Sequence, residues 1–198
     1  KGDTNYKAFA SKAFADKLEV TQATIEVTEI DSMSIVYGDN ESVTVTGKIN
    51  NTKYGDNYTG DVTVTINGTD ATGEVNADGT FTVAVTDKDV IGKLAVGNYT
   101  ISAALAGDAN YKAFDAKEFA DKLEVTQATI AVIEIDPKSI VYGDNETVTV
   151  TGKINNTKYG DNYTDDVTVT IGSVSNTSKV NADGSFTVVI TNKDVIGK

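Results

Sequence analysis

Apolar and polar residues alternate with a period of two along most of this 198-residue chain. Val43, Val45 and Ile49 fall on one side of their run, and Thr44, Thr46 and Lys48 on the other. Val62, Val64 and Ile66 alternate with Thr63 and Thr65, and Phe81, Val83 and Val85 with Thr82, Ala84 and Thr86. Tyr99, Ile101, Ala103 and Leu105 continue the pattern. Each run is short, rich in β-branched residues and bounded by Gly, Asn or Asp, which predicts strands with one buried face. Asn67-Gly68 and Asp78-Gly79 predict tight hairpins, because these residues tolerate positive φ. The stretch Asp115–Val125 has the Ala, Glu and Lys content of a helix. As a strand it places Phe119, Leu123 and Val125 on one face with Asp121 out of place, and strand is expected because the unit needs a closing strand there. About seven strands in a hundred residues describe an all-β sandwich. Residues from about Thr24 to Val125 are expected to form one complete seven-strand unit with Val45, Val64, Phe81, Val83, Tyr99 and Ile101 inside.

The same pattern then returns. A shift of 105 residues aligns Gly2–Lys93 with Gly107–Lys198 without a gap, and 71 of the 92 pairs are identical. Of the 21 differences, seven lie between Asn67 and Glu74, which marks that segment as a variable loop. Val43–Thr59, "VTVTGKINNTKYGDNYT", recurs unchanged at Val148–Thr164. Self-similarity at this period indicates tandem domains, because solenoid units are much shorter. The expected organisation is a closing strand of a preceding module in 1–23, a complete module in 24–128, and a second module in 129–198 without its last two strands. Gly2–Val20 matches Gly107–Val125, the closing region of a module. Both ends are therefore expected to need a partner, in a longer polypeptide or by strand addition from a second chain in a head-to-tail fibre. Either way, Leu18 and Val20 are expected to be shielded by another module.

Composition narrows the chemistry. The chain has 17 basic residues, all Lys, against 29 acidic ones, for a net charge of −12. Such acidity disfavours nucleic acid and anionic membrane surfaces, and no apolar run approaches the roughly 20 residues of a membrane span. With no His or Cys, Ser–His and Cys–His nucleophile pairs and thiolate or imidazole metal sites are ruled out. No enzyme and no cofactor is expected.

The order of the pieces "SIVYGDNESVTVTGKI", "VTVTINGT", "VNADGTFTVAV" and "GNYTISAALAGDANYKA" resembles the tandem bacterial and archaeal Ig-like domains of large surface proteins and adhesins. "LAVGNYTI", Leu94–Ile101, carries the Leu-x-x-Gly-x-Tyr of a tyrosine corner, with Tyr99 in that role. The resemblance implies Greek-key sandwich modules, extracellular display at the cell surface, stalk-building and adhesion. Its partners would be neighbouring copies of the module, in cis or between chains, and a host-cell or surface carbohydrate or protein ligand. A carbohydrate- or protein-binding accessory module of a larger surface protein is the alternative, for which Tyr54 and Tyr58 supply aromatic side chains.

Nine Asn-x-Ser/Thr triplets are present. Asn50, Asn57, Asn155 and Asn162, in long loops, are the leading glycosylation candidates, followed by Asn40, Asn145, Asn98 and Asn176. Asn67 is better read as a hairpin residue. Asp56, Asp61, Asp161 and Asp166, with Asp165, Asn57 and Asn162, offer hard oxygens to calcium, but no EF-hand spacing accompanies them, and a solvated acidic loop is the plainer reading. Glu118, Asp121 and Glu124 read as a solvated strand edge. Lys17 and Lys122 raise a Lys–Asn crosslink, against which no Lys is placed on a core-facing position.

Overall fold

The computed structural model describes residues 2–197; Lys1 and Lys198 lie outside the described residues. The alternating runs fold as 13 strands, and no α-helix occurs among the described residues. In the first unit they are β1 (Val27–Ile30), β2 (Met33–Val36), β3 (Ser42–Ile49), β4 (Asp61–Ile66), β5 (Thr69–Glu74), β6 (Thr80–Thr86), β7 (Gly97–Leu105) and β8 (Phe114–Thr126). One sheet runs β1-β3-β6 and the other β2-β8-β7-β4-β5. All pairings are antiparallel except β2 with β8, which is parallel.

Alternation dictates what is buried. Val45, Val64, Phe81, Val83 and Ile101 are at most 2% exposed, and they share one hydrophobic cluster fed by both sheets. Tyr99 is half-buried against that cluster. Gly47 sits under the Phe81 ring: a Cβ there would lie 2.5 Å from its Cζ and 2.4 Å from the Glu29 carbonyl, so only glycine admits both. The β4–β5 hairpin turns at Asn67 and Gly68, with φ of 47° and 81°, the left-handed pair that two-residue hairpins require.

The Asp115–Val125 stretch is strand, within β8. Its misfit Asp121 marks a bulge: Tyr99 pairs with Leu123 but Ile101 with Phe119, so two extra residues are looped out, and Asp121 takes φ 54°. The bulge lets Phe119, Leu123 and Val125 all turn inward despite the broken alternation.

Strands β9 (Val132–Ile135), β10 (Thr147–Ile154), β11 (Asp166–Ile171), β12 (Val174–Lys179) and β13 (Ser185–Thr191) begin and end 105 residues after β1, β3, β4, β5 and β6. They form a three-stranded sheet, β13-β10-β9, and a separate hairpin, β11-β12. The residues corresponding to β2, 138–141, form no strand. The partner of β2 is β8, and no counterpart of β8 stands beside 138–141 in the described residues.

Residues 2–22 also carry no strand, although 15 of the 19 positions from Gly2 to Val20 equal their β8-region counterparts. The shielding expected for Leu18 and Val20 is absent within the single chain, where they are 85% and 86% exposed. A strand needs an edge to pair with, and this segment has none. Pairing begins with an isolated parallel bridge between Ala23 and Tyr111.

Candidate functional site: the repeated loop

The invariant segment contains β3 or β10 and the loop that follows. Its conserved wording is explained first by local stitching, which is the same in both copies. Asn50 Oδ1 accepts from the Glu26 amide at 2.6 Å, and Asn155 Oδ1 from the Ala131 amide at 2.6 Å, tying the loop to the entering strand. Asn57 Nδ2 donates to the Ala77 carbonyl at 2.6 Å, and Asn162 Nδ2 to the Ala182 carbonyl at 2.7 Å, tying it to the next hairpin. Asn51 and Asn156 accept from the amides of Tyr58 and Tyr163.

The copies differ in what lies beyond the loop. In the first, Tyr58 is buried, and its hydroxyl donates to the carbonyls of Ala106 and Asp61. Tyr58 stands edge-on to Tyr111, centroids 5.6 Å apart. The Tyr111 hydroxyl donates to the Asp56 carbonyl and lies 3.0 Å from Thr52 Oγ1. Burial, with the charges of Asp108 and Asp61, raises the Tyr58 phenol above its ordinary 10.0. In the second copy, Tyr163 reaches only the Asp166 carbonyl, at 3.2 Å. Thr157 Oγ1, the counterpart of Thr52 Oγ1, is buried without a hydrogen-bond partner.

The second loop instead touches the first unit. The Tyr159 amide donates to the Gly38 carbonyl at 2.7 Å, and the Asp161 amide to the Tyr37 hydroxyl at 2.9 Å. Gly38 is buried with φ +71°, and a Cβ on it would lie 2.5 Å from Thr157. Gly92 likewise leaves room for Tyr159, whose Cβ is 2.5 Å from where its own would stand. This contact was not legible from strand patterning; the signal was the unchanged loop paired with the unchanged "YGDNE" turn.

The calcium candidates are not brought together. Asp56, Asp61, Asp161 and Asp166 are exposed, and no group of three or more acidic side chains suited to a metal occurs among the described residues. Asp165 and Asp166 share Lys179, each at 3.3 Å. Of the glycosylation candidates, Asn50, Asn57, Asn155 and Asn162 use their amides in the stitching above. Asn176 Nδ2 donates to the Val189 carbonyl at 2.6 Å. Asn40, Asn98 and Asn145 are exposed, with no acceptor for Nδ2 among the described residues. Asn67 occupies the hairpin turn. Tyr99 Oη donates to the Ala95 carbonyl, four residues upstream, at 2.9 Å. Of the two aromatic candidates for ligand contact, Tyr58 is in the core, while Tyr54 is 88% exposed with Lys53 Nζ 5.0 Å from its ring centre. Glu118, Asp121 and Glu124 are exposed, Lys17 is exposed and Lys122 half-buried.

No family model matches the chain, and no curated protein sequence matches it. Solved structures similar to it include a 1.5-MDa bacterial ice-binding adhesin described for host cell surface retention, at 23% identity and a TM-score of 0.41. That match covers 89% of this chain and 56% of that one. A Ca²⁺-stabilized adhesin that helps an Antarctic bacterium reach out and bind ice matches at 25% identity and a TM-score of 0.37, over 89% of this chain and 42% of that one. The BSP domain of a biofilm associated protein matches at 18% identity and a TM-score of 0.32, over 85% and 25%. The chain thus spans between a quarter and just over half of these structures. No helix among the described residues is long and apolar enough to cross a membrane.

Proposed function

We propose that this chain is part of a tandem series of Ig-like Greek-key sandwich modules in an extracellular surface protein or fibre, with a structural and adhesive role. The modules are a closing segment in 1–23, a complete unit in 24–128 and a second unit in 129–198. The observation that carries the reading is the placement of the invariant loop. Thr157–Asp161 of one unit lies against Tyr37, Gly38 and Gly92 of the other, all of them unchanged between the copies, while variation concentrates in the hairpins that carry the edge strands β5 and β12. A spacer depends on a constant joint and tolerates change at a free edge. Its partners are further copies of the module and a surface ligand; no catalytic role is assigned.

Two measurements test this. Brief protease treatment of intact source cells should release peptides of this chain, and an immunoblot should show a native polypeptide well above 20.9 kDa. Peptides released only after lysis would overturn the surface reading. Sugar, if attached, belongs first on Asn40, Asn98 or Asn145, whose Nδ2 groups donate to no acceptor among the described residues; intact mass before and after deglycosylation of native material decides it.

Exposed Tyr54, with Lys53 beside it, supports a second reading as a carbohydrate-binding accessory module. Tyr54→Ala abolishing retention on a glycan array would favour that reading over the spacer.

A further inference from the structure

The tetrapeptide Tyr-Gly-Asp-Asn occurs twice in each unit, at 37–40 and 54–57 and again at 142–145 and 159–162. In the folded chain the first of these meets the last. The Tyr159 amide donates to the Gly38 carbonyl, and the Asp161 amide to the Tyr37 hydroxyl. Tyr37 and Tyr159 are both half-buried.

Glycine permits this approach from both sides. A Cβ on Gly38 would lie 2.5 Å from Thr157 Cβ, and one on Gly160 would lie 2.6 Å from Tyr37 Cε1. Gly92 stands beside the pair, and a Cβ there would lie 2.5 Å from Tyr159 Cβ. Carbon atoms pack at about 3.5–4.0 Å, so none of the three positions admits a side chain while the units touch. Gly38 also needs to be glycine for its φ of +71°. Gly92 does not share that need, since its φ is not positive. Beyond its chain neighbours, the nearest atom of its own unit to that Cβ is the Asn40 carbonyl oxygen, at 3.5 Å. The space at residue 92 is therefore taken by the other unit.

The chain between the units is pinned on both sides. The Thr126 carbonyl accepts from the Tyr37 amide at 2.9 Å, and Thr126 Oγ1 donates to the Ile35 carbonyl at 3.2 Å. Across the joint, Asn155 Nδ2 donates to the Thr129 carbonyl at 3.2 Å, and Asn155 Oδ1 accepts from the Ala131 amide at 2.6 Å. Gln127 and Ala128 are what lies between these anchors.

We propose that the paired tetrapeptides form a clasp that holds 24–128 and 129–198 at one fixed angle, with Gly92 and Gly160 as positioning residues. The clasp rests on reading these segments as modules of a series, and it gives that series stiffness. Across flexible connections, reach grows roughly as the square root of length. Across fixed joints, every unit adds the same full step.

The clasp is tested on the full chain. The amides of Tyr159 and Asp161 should exchange hydrogen at least about tenfold more slowly than those of Tyr54 and Asp56, which have no acceptor among the described residues. The chain has no Cys, so spin labels on Lys48→Cys and Lys153→Cys, one exposed site in each unit, report the distance between units. A single narrow distribution is expected. Gly92→Ala should displace or broaden it, bring both amides to the exchange rates of Tyr54 and Asp56, and leave the thermal stability of the first unit unchanged. Tyr37→Phe, which keeps the ring, should speed exchange at Asp161. Equal exchange of the two loops in the unsubstituted chain, a broad distance distribution there, or unaltered distances and exchange in Gly92→Ala would overturn the clasp. None of these results bears on the surface reading, which is decided on intact cells.

Discussion

The two copies of one sequence end in different states of burial. Val27 and Ile30 are 0% exposed, while Val132 and Ile135, at the same positions of the second copy, are 47% and 51% exposed. Val62, Val64 and Ile66 are 0% exposed, and Val167, Val169 and Ile171 are only half-buried. The strands themselves are unchanged: β10 pairs with β13 through seven residue pairs, as β3 does with β6. The pairings among the first strands of a unit occur in both copies, whereas closure of the core requires β7 and β8, which arrive later in the chain. The 138–141 segment makes the point most sharply. Ser139–Val141 repeats Ser34–Val36, yet only 33–36 is a strand, because only it has β8 to lie against.

This contrast can be broken or sharpened by matched substitutions. Phe81 and Phe186 are both 1% exposed. Phe81→Ala should cost about 3–5 kcal/mol in denaturant unfolding, whereas Phe186→Ala should cost roughly half as much, because an open site relaxes and admits water more easily. Equal losses would mean that the second unit is as closed as the first.

Tyr58→Phe should cost about 1–3 kcal/mol by leaving the Ala106 and Asp61 carbonyls short of a donor, while Tyr163→Phe, which loses one exposed bond, should cost about 0.5 kcal/mol. The burial that makes Tyr58 valuable also sets a pH signature. Its phenol is raised in the folded state, so the folded state favours the neutral form. Its contribution is complete below the ordinary value of 10.0 and is lost as pH rises through the folded value. Alkaline melts should therefore show stability falling above about pH 10 in wild type and less steeply in Tyr58→Phe.

Tyr99→Phe should cost about 0.5–1.5 kcal/mol through the lost bond to Ala95, read as a lower Tm of the first unit alone. The smallest effect is one the copies share. Asp78 and Asp183 are held below their ordinary 3.8 chiefly by the hydroxyls of Thr80 and Ser185, each at 2.6 Å, and then by the same residues' amides. A lowered carboxylate contributes stability above its ordinary value and loses it as pH falls through the folded value. Both turns should thus weaken together below pH 4, by a small amount because both are fully exposed. Chelation should leave Tm unchanged in both units, since their Asp residues do not converge; a drop on adding chelator would restore a calcium site.

What the sequence determined by itself is what period two and turn chemistry set: β3, β4, β6 and β7 with their inward residues, the Asn67-Gly68 hairpin and the repetition of β3, β4 and β6 after 105 residues, whereas 69–74, expected as a variable loop, is the strand β5. These depend on neighbours a few residues apart, whose preferences are written locally. The tertiary structure decided the rest. It turned the misplaced Asp121 into a bulge, put Tyr58 in the core while leaving Tyr54 outside, and assigned Asn50 and Asn57 to stitching rather than display. A side chain's worth here is fixed by a partner distant in sequence, and local pattern carries no record of whether that partner is present.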